Sequence, residues 1–135
     1  MTYNYFGAGC TYRTSGTSFT EHDLQLPQGA EIDYLRIYYY DNDASNNANA
    51  YLFAYDGAGN FTEIASVGSS GTPGQSSTGS GFFSYFVDNV GAGLSLRLNY
   101  GNGSNSNLRI CGVRLRYQYN ISTVSLPLIL NRTNP

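Results

Sequence analysis

The sequence has no tryptophan and no lysine, and only one histidine and one methionine among its 135 residues. Charged side chains make up 12% of it, about half of the roughly 25% common in soluble domains. Each shortage excludes something. Without lysine there is neither a Schiff base nor a P-loop. The seven basic residues are all arginine and face nine acids, for a net charge of −2, so the composition carries no polybasic footprint and nucleic acid is not an expected partner. No apolar run reaches the ~18 residues that a spanning helix requires. The longest cluster is Leu126-Pro-Leu-Ile-Leu130, and membrane insertion is not expected. Met1 to Phe6 offers no basic n-region and no apolar h-region, so secretion has to be inferred from other features.

What is abundant is tyrosine, phenylalanine and glycine, at 13, 7 and 16 residues. A surface made soluble by Ser, Thr, Asn and tyrosine hydroxyls rather than by ions suggests an extracellular protein. The length suits one domain with a modest core. The strongest strand signal is 31–41, where Glu31, Asp33, Leu35, Ile37 and Tyr39 alternate with Ile32, Tyr34, Arg36, Tyr38 and Tyr40, rich in β-branched and aromatic residues. Leu26-Pro-Gln-Gly-Ala30 before it reads as a turn. Further strand-length runs cover 17–26, 50–56, 61–67, 82–87, 94–100 and 108–119, and none shows a helical apolar stripe. Gly/Asn/Asp turns join them, including Asp56-Gly-Ala-Gly-Asn60, whose glycines read as hairpin residues. The expected fold is an all-β, single antiparallel sandwich of jelly-roll type with about eight to nine strands. Residues 1–120 would form the sandwich and 121–135 an extended apolar C-terminal tail. The Gly/Ser/Thr-rich stretch 68–81 reads as a long exposed loop.

Cys10 and Cys111 are the only cysteines and form no CxxC motif. In a chain of this composition they suit a disulfide joining the first strand to the last; two separately buried thiols are the alternative. Catalytic signals are sparse. His22 sits between Glu21 and Asp23, which in a strand point to the opposite face, so the three form no local triad. No G-x-S-x-G elbow occurs. Glu31 with Asp33, and Asp41 with Asp43, would lie roughly 6.5–7 Å apart at i, i+2 in a strand, a spacing that superficially suits an inverting glycosidase. A chain this short has little room for a substrate cleft between them, and no catalytic residue is assigned. Asp41-Asn-Asp43 also opens like a calcium loop, but an EF-hand wants Gly and Glu where Asn46 and Leu52 stand. An Asx-rich turn is the simpler reading, and no cofactor or metal is expected. Sequons occur at Asn60, Asn102, Asn120 and Asn131, and matter only in a cell that N-glycosylates.

The tyrosines are the most informative residues. If Leu35, Ile37 and Tyr39 face the core, then Tyr34, Tyr38 and Tyr40 face outward beside Arg36, with Tyr51 and Tyr55 on the next strand. Such a surface fits a protein partner, a second copy included, or a glycan. In the tail, Ile121, Val124, Leu126, Pro127, Leu128, Ile129 and Leu130 form an apolar segment whose proline belongs on a sheet edge, as a donor strand would supply. Lysine's absence removes a common guard against edge-to-edge pairing.

Leu26-Pro-Gln-Gly-Ala30, Ile32-Asp-Tyr-Leu-Arg-Ile-Tyr-Tyr-Tyr-Asp41, Tyr55-Asp-Gly-Ala-Gly59, Val87-Asp-Asn89 and Arg109-Ile-Cys-Gly-Val-Arg114 together resemble a recurring uncharacterised domain of secreted bacterial proteins, over roughly residues 8–119. The resemblance implies an all-β extracellular module and brings no catalytic residues with it. The expected function is a non-enzymatic extracellular structural protein that forms a homo-oligomer or homopolymer in a surface filament or coat. A carbohydrate-binding module, or a virion decoration or fibre domain, is the alternative.

Overall fold

The computed structural model describes residues 2–6, 9–70 and 74–119, the first of these as backbone alone. Ten strands and no helix occur among them: β1 (Thr2–Phe6), β2 (Cys10–Ser15), β3 (Phe19–Leu24), β4 (Glu31–Asp41), β5 (Asn49–Tyr55), β6 (Phe61–Gly68), β7 (Gly74–Gly79), β8 (Tyr85–Phe86), β9 (Gly93–Asn99) and β10 (Leu108–Gln118). They form two antiparallel sheets. One runs β1-β2-β10-β4-β7, with β8 also on β4, and the other runs β3-β9-β5-β6. This is the sandwich class expected from the strand pattern.

β4 lies near the middle of the larger sheet, paired with β10 along one side and with β7 and β8 along the other. Its entry is set by a turn in which Ala30 N–H donates to the Pro27 carbonyl at 3.1 Å and Gly29 takes φ +80, a conformation that favours glycine. From Leu35 onward the alternation holds: Leu35, Ile37 and Tyr39 are fully buried. They meet Ala50 and Leu52 of β5, Val67 of β6 and Leu94 of β9 in one core, which Leu108 and Ile110 of β10 complete.

At its N-terminal end β4 departs from strict alternation. The ladder shifts between Arg116 and Tyr117, so that Tyr34 opposes Arg116 and Ile32 opposes Tyr117. Asp33 is the extra residue of a bulge. The bulge turns Ile32 into the core, where it is fully buried, rather than outward as alternation alone implies. A second bulge leaves Cys111 unpaired between Ile110 and Gly112. Thr11 opposes Ile110, which puts Cys10 directly across from Cys111, and the two are joined in a disulfide spanning 101 positions. The staple therefore fastens β2 to β10, neighbours within one sheet, and not the first strand to the last. Such a bond suits an oxidising compartment.

The stretch 68–81 is not simply a loop. Residues 74–79 form β7, a Gly/Ser/Thr edge strand with little propensity of its own, held by the free side of β4. Its inward Thr78 lies 3.2 Å from the Tyr39 hydroxyl. The run 82–87 yields only the two-residue β8, and the 17–26 run shortens to β3. The pairing of β1 with β2 is an addition: the two strands are only five and six residues long and are not among the expected runs. The tail residues Ile121, Val124, Leu126, Pro127, Leu128, Ile129 and Leu130, and the sequons at Asn120 and Asn131, lie outside the described residues.

Replacing both Cys10 and Cys111 by serine removes a constraint worth about 4.7 kcal/mol for a loop of this length on the chain-entropy model. Urea unfolding of that variant is expected to show a loss of roughly 3–5 kcal/mol with little change in far-UV circular dichroism.

Candidate functional site

The sequence-predicted tyrosines do not share one surface. Tyr34, Tyr38 and Tyr40 stand on the outer face of the larger sheet, whereas Tyr51 and Tyr55 belong to β5 and stand on the outer face of the smaller one. The sandwich thus presents two aromatic faces that point in opposite directions.

On the larger sheet, the β4–β10 register sets Tyr34 opposite Arg116 and Arg36 opposite Arg114. Each tyrosine carries a guanidinium. Arg109 lies 4.1 Å from the ring centre of Tyr40, Arg114 5.2 Å from Tyr38, and Arg36 5.5 Å from Tyr34. Arg36 also donates to the Tyr34 hydroxyl at 2.5 Å and to Ser77 Oγ at 2.9 Å. That hydroxyl reaches across β7 because position 79 is glycine: a Cβ there would collide with it. Cation–π pairs of this kind contribute about 0.5–1 kcal/mol each at exposed sites. Phe82, 79% exposed, sits 5.7 Å from Tyr34 and 5.1 Å from Arg116.

Asp33 anchors this array. Its bulge aims the carboxylate along the sheet, where Arg116 donates from Nε at 2.7 Å and Nη2 at 2.9 Å and Gln118 adds a bond at 3.0 Å. The Arg116 guanidinium holds the Asp33 carboxyl below its ordinary range, against the opposing pull of desolvation. Asp33 is therefore not half of a carboxylate pair with Glu31, which receives a hydrogen bond from Ser84 Oγ at 2.8 Å.

On the smaller sheet, the outer face holds Phe19, Tyr51, Phe53, Tyr55 and Phe61. Phe53 is 6% exposed although it faces outward, because Tyr51 stacks on it at 5.8 Å and Phe61 meets it edge-on at 5.3 Å. Arg97 lies 4.3 Å from the ring centre of Phe19 and 5.0 Å from that of Phe53, and it is ion-paired with Glu21. That bond to Arg97 lowers the Glu21 carboxyl below its ordinary range. Tyr55 donates to the same carboxylate at 2.9 Å; burial, together with that carboxylate, raises its phenol.

The remaining candidates stand apart from these two faces. Asp41 is fully buried; it accepts from the Ser69 hydroxyl and from the Asp43 amide at 3.0 Å. Ser69 Oγ in turn accepts from Ala48 N–H at 2.9 Å, tying β4 to the other sheet. Asp43 caps its turn through the amides of Ser45 and Asn46, which hold its carboxyl low. These oxygens are those of an Asx-rich turn, and no group of three potential metal ligands occurs among the described residues. His22 is exposed on β3, 3.2 Å from Thr20 Oγ1. A polar cleft of about 580 Å³ opens at one end of the smaller sheet between Asp23, Tyr55, Asp56 and Asn89. Asp56 there caps the β5–β6 hairpin through Ala58 and Asn60. Asn60 and Asn102 occupy exposed turns.

Fold and surface together define an all-β sandwich with two organised aromatic–arginine faces. No family model, curated protein or solved structure matches the chain. No helix among the described residues is long and apolar enough to cross a membrane.

Because the folded-state pKa of Asp33 is depressed, the pair with Arg116 stabilises the fold above the unfolded carboxylate's pKa of about 3.9 and is lost as pH falls through the lower folded value. Asp33→Asn is expected to lower stability at pH 7 and to flatten the acid limb of a stability–pH profile measured by denaturant titration. A Gly79→Ala variant is expected to fold normally while shifting the Tyr34 ring, read as altered Tyr34 and Arg36 NMR resonances.

Proposed function

We propose that the protein is a non-enzymatic extracellular structural protein that assembles with copies of itself into a surface filament or coat. One observation carries the reading: both broad faces of the sandwich display ordered tyrosine, phenylalanine and arginine, the residue types that dominate binding hot spots. Phe82, Phe86 and Phe61 are each more than half exposed, and exposed aromatic patches of this kind mark interaction sites. The disulfide, the scarcity of ions and the resemblance to a secreted bacterial domain favour an extracellular setting.

A second reading has its own support. Tyr38 and Arg114 flank two shallow grooves of about 250 and 300 Å³, where tyrosine rings and arginine guanidinium groups would meet an acidic saccharide.

Light scattering over a concentration series, with electron microscopy, is expected to show particles that grow with concentration. A protein that stays monomeric and is captured on a glycan array, with capture lost in Tyr38→Ala, would establish the second reading instead. Removing residues 121–135 is the companion measurement: assembly through the sheet faces survives the deletion, and donor-strand assembly does not.

A further inference from the structure

The two aromatic faces carry opposite charge. On the outer face of the larger sheet Arg36, Arg109, Arg114 and Arg116 outnumber Glu31 and Asp33. Arg114 is exposed and has no acidic partner among the described residues. On the outer face of the smaller sheet Glu21, Asp23 and Glu63 outnumber Arg97, and all three acids are exposed. A chain of net charge −2 is thus polarised across its own thickness. Each face also offers exposed aromatic anchors, Phe82 on one and Phe19 and Phe61 on the other.

Faces of like charge repel when two copies meet with the same side, whereas the basic face of one copy and the acidic face of the next attract. We propose that copies of this protein stack head to tail, with the arginine–tyrosine face of one against the acidic aromatic face of the next. This rests on the self-assembly reading above and adds the geometry of contact. Such a contact is heterologous. Because its two surfaces lie on opposite sides of one sandwich, repetition leads to an open filament and not to a closed dimer. The smaller sheet, with four strands of about seven residues, has a flat area of roughly 450 Å² from strand rise and spacing. That falls below the ~800 Å² per partner of a standard interface, so each contact is weak and reversible, and growth requires high protein concentration. Charge at the contact also makes association sensitive to salt.

The test uses the full chain and two exposed charge reversals, Arg114→Glu on the basic face and Glu63→Arg on the acidic face, each checked for an unchanged unfolding temperature. In sedimentation velocity the wild type is expected to form a ladder of species. Each variant alone is expected to associate at least about tenfold more weakly, because it sets like charges together. The decisive measurement is the equimolar mixture: the intact acidic face of Arg114→Glu and the intact basic face of Glu63→Arg are expected to associate as tightly as wild-type copies, giving species that neither variant forms alone. If Arg114→Glu stops assembly while Glu63→Arg grows like the wild type, the basic face pairs with itself and stacking is overturned. If both variants grow normally, assembly uses another surface; stacking falls while the self-assembly reading stands. A wild type that stays monomeric up to ~1 mM overturns both, and its retention by heparin would assign the basic face to a polyanion.

Discussion

Between β4 and β10 the antiparallel ladder runs from Asp41 opposite Leu108 to Glu31 opposite Gln118, interrupted by two bulges. Almost every other feature follows from this register. The side-chain period of a strand is two, so one inserted residue exchanges the faces of everything beyond it. The bulge at Asp33 lets Ile32 join Leu35, Ile37 and Tyr39 in the core and leaves a carboxylate where Arg116 can take it with two hydrogen bonds. The bulge at Cys111 returns Val113 and Leu115 to the inner side and brings a thiol opposite Cys10. Without the bulge at Cys111, Arg114 and Arg116 would not stand over the tyrosines of β4.

The same register explains how a chain poor in charge makes a charged surface. Arg114 and Arg116 are two residues apart, as are Tyr34, Arg36, Tyr38 and Tyr40 in succession, and pairing the two strands interleaves them. Each guanidinium then rests on an aromatic face, an arrangement open to arginine through its planar, weakly hydrated cation and far less suited to lysine. The absence of lysine and the wealth of tyrosine are two aspects of one surface chemistry. On the other sheet Arg97 performs a similar task over Phe19 and Phe53 but is neutralised by Glu21, which leaves that face acidic.

Some of this was legible in the residues alone. The aromatic and β-branched alternation of 31–41 marked β4, and turn residues marked the β5–β6 hairpin. The outward set Tyr34, Tyr38 and Tyr40 followed from the inward set, and the cysteine pair followed from composition. Other parts had no local signal. β7 is built from Gly, Gln, Ser and Thr and is a strand only because β4 offers it a free edge. Arg97, Phe19 and Phe61 read as scattered surface residues until three strands bring them to Phe53. The tyrosines of β4 and β5 looked like neighbours, yet the connection between those strands crosses from one sheet to the other.

What the sequence determined by itself was the class of structure: strands and not helices, an inner and an outer side for the long central strand, and a surface of hydroxyls and rings in place of ions. These are properties of short segments, because residue propensity, turn chemistry and the period of two act over a few residues. Only the tertiary structure decided where the bulges fall, which strands share a sheet and which charges share a face. Those outcomes depend on hydrogen bonds between strands far apart in the chain, where the energy of the whole ladder selects a register that no single segment encodes. The polarity between the two outer faces belongs to that second kind.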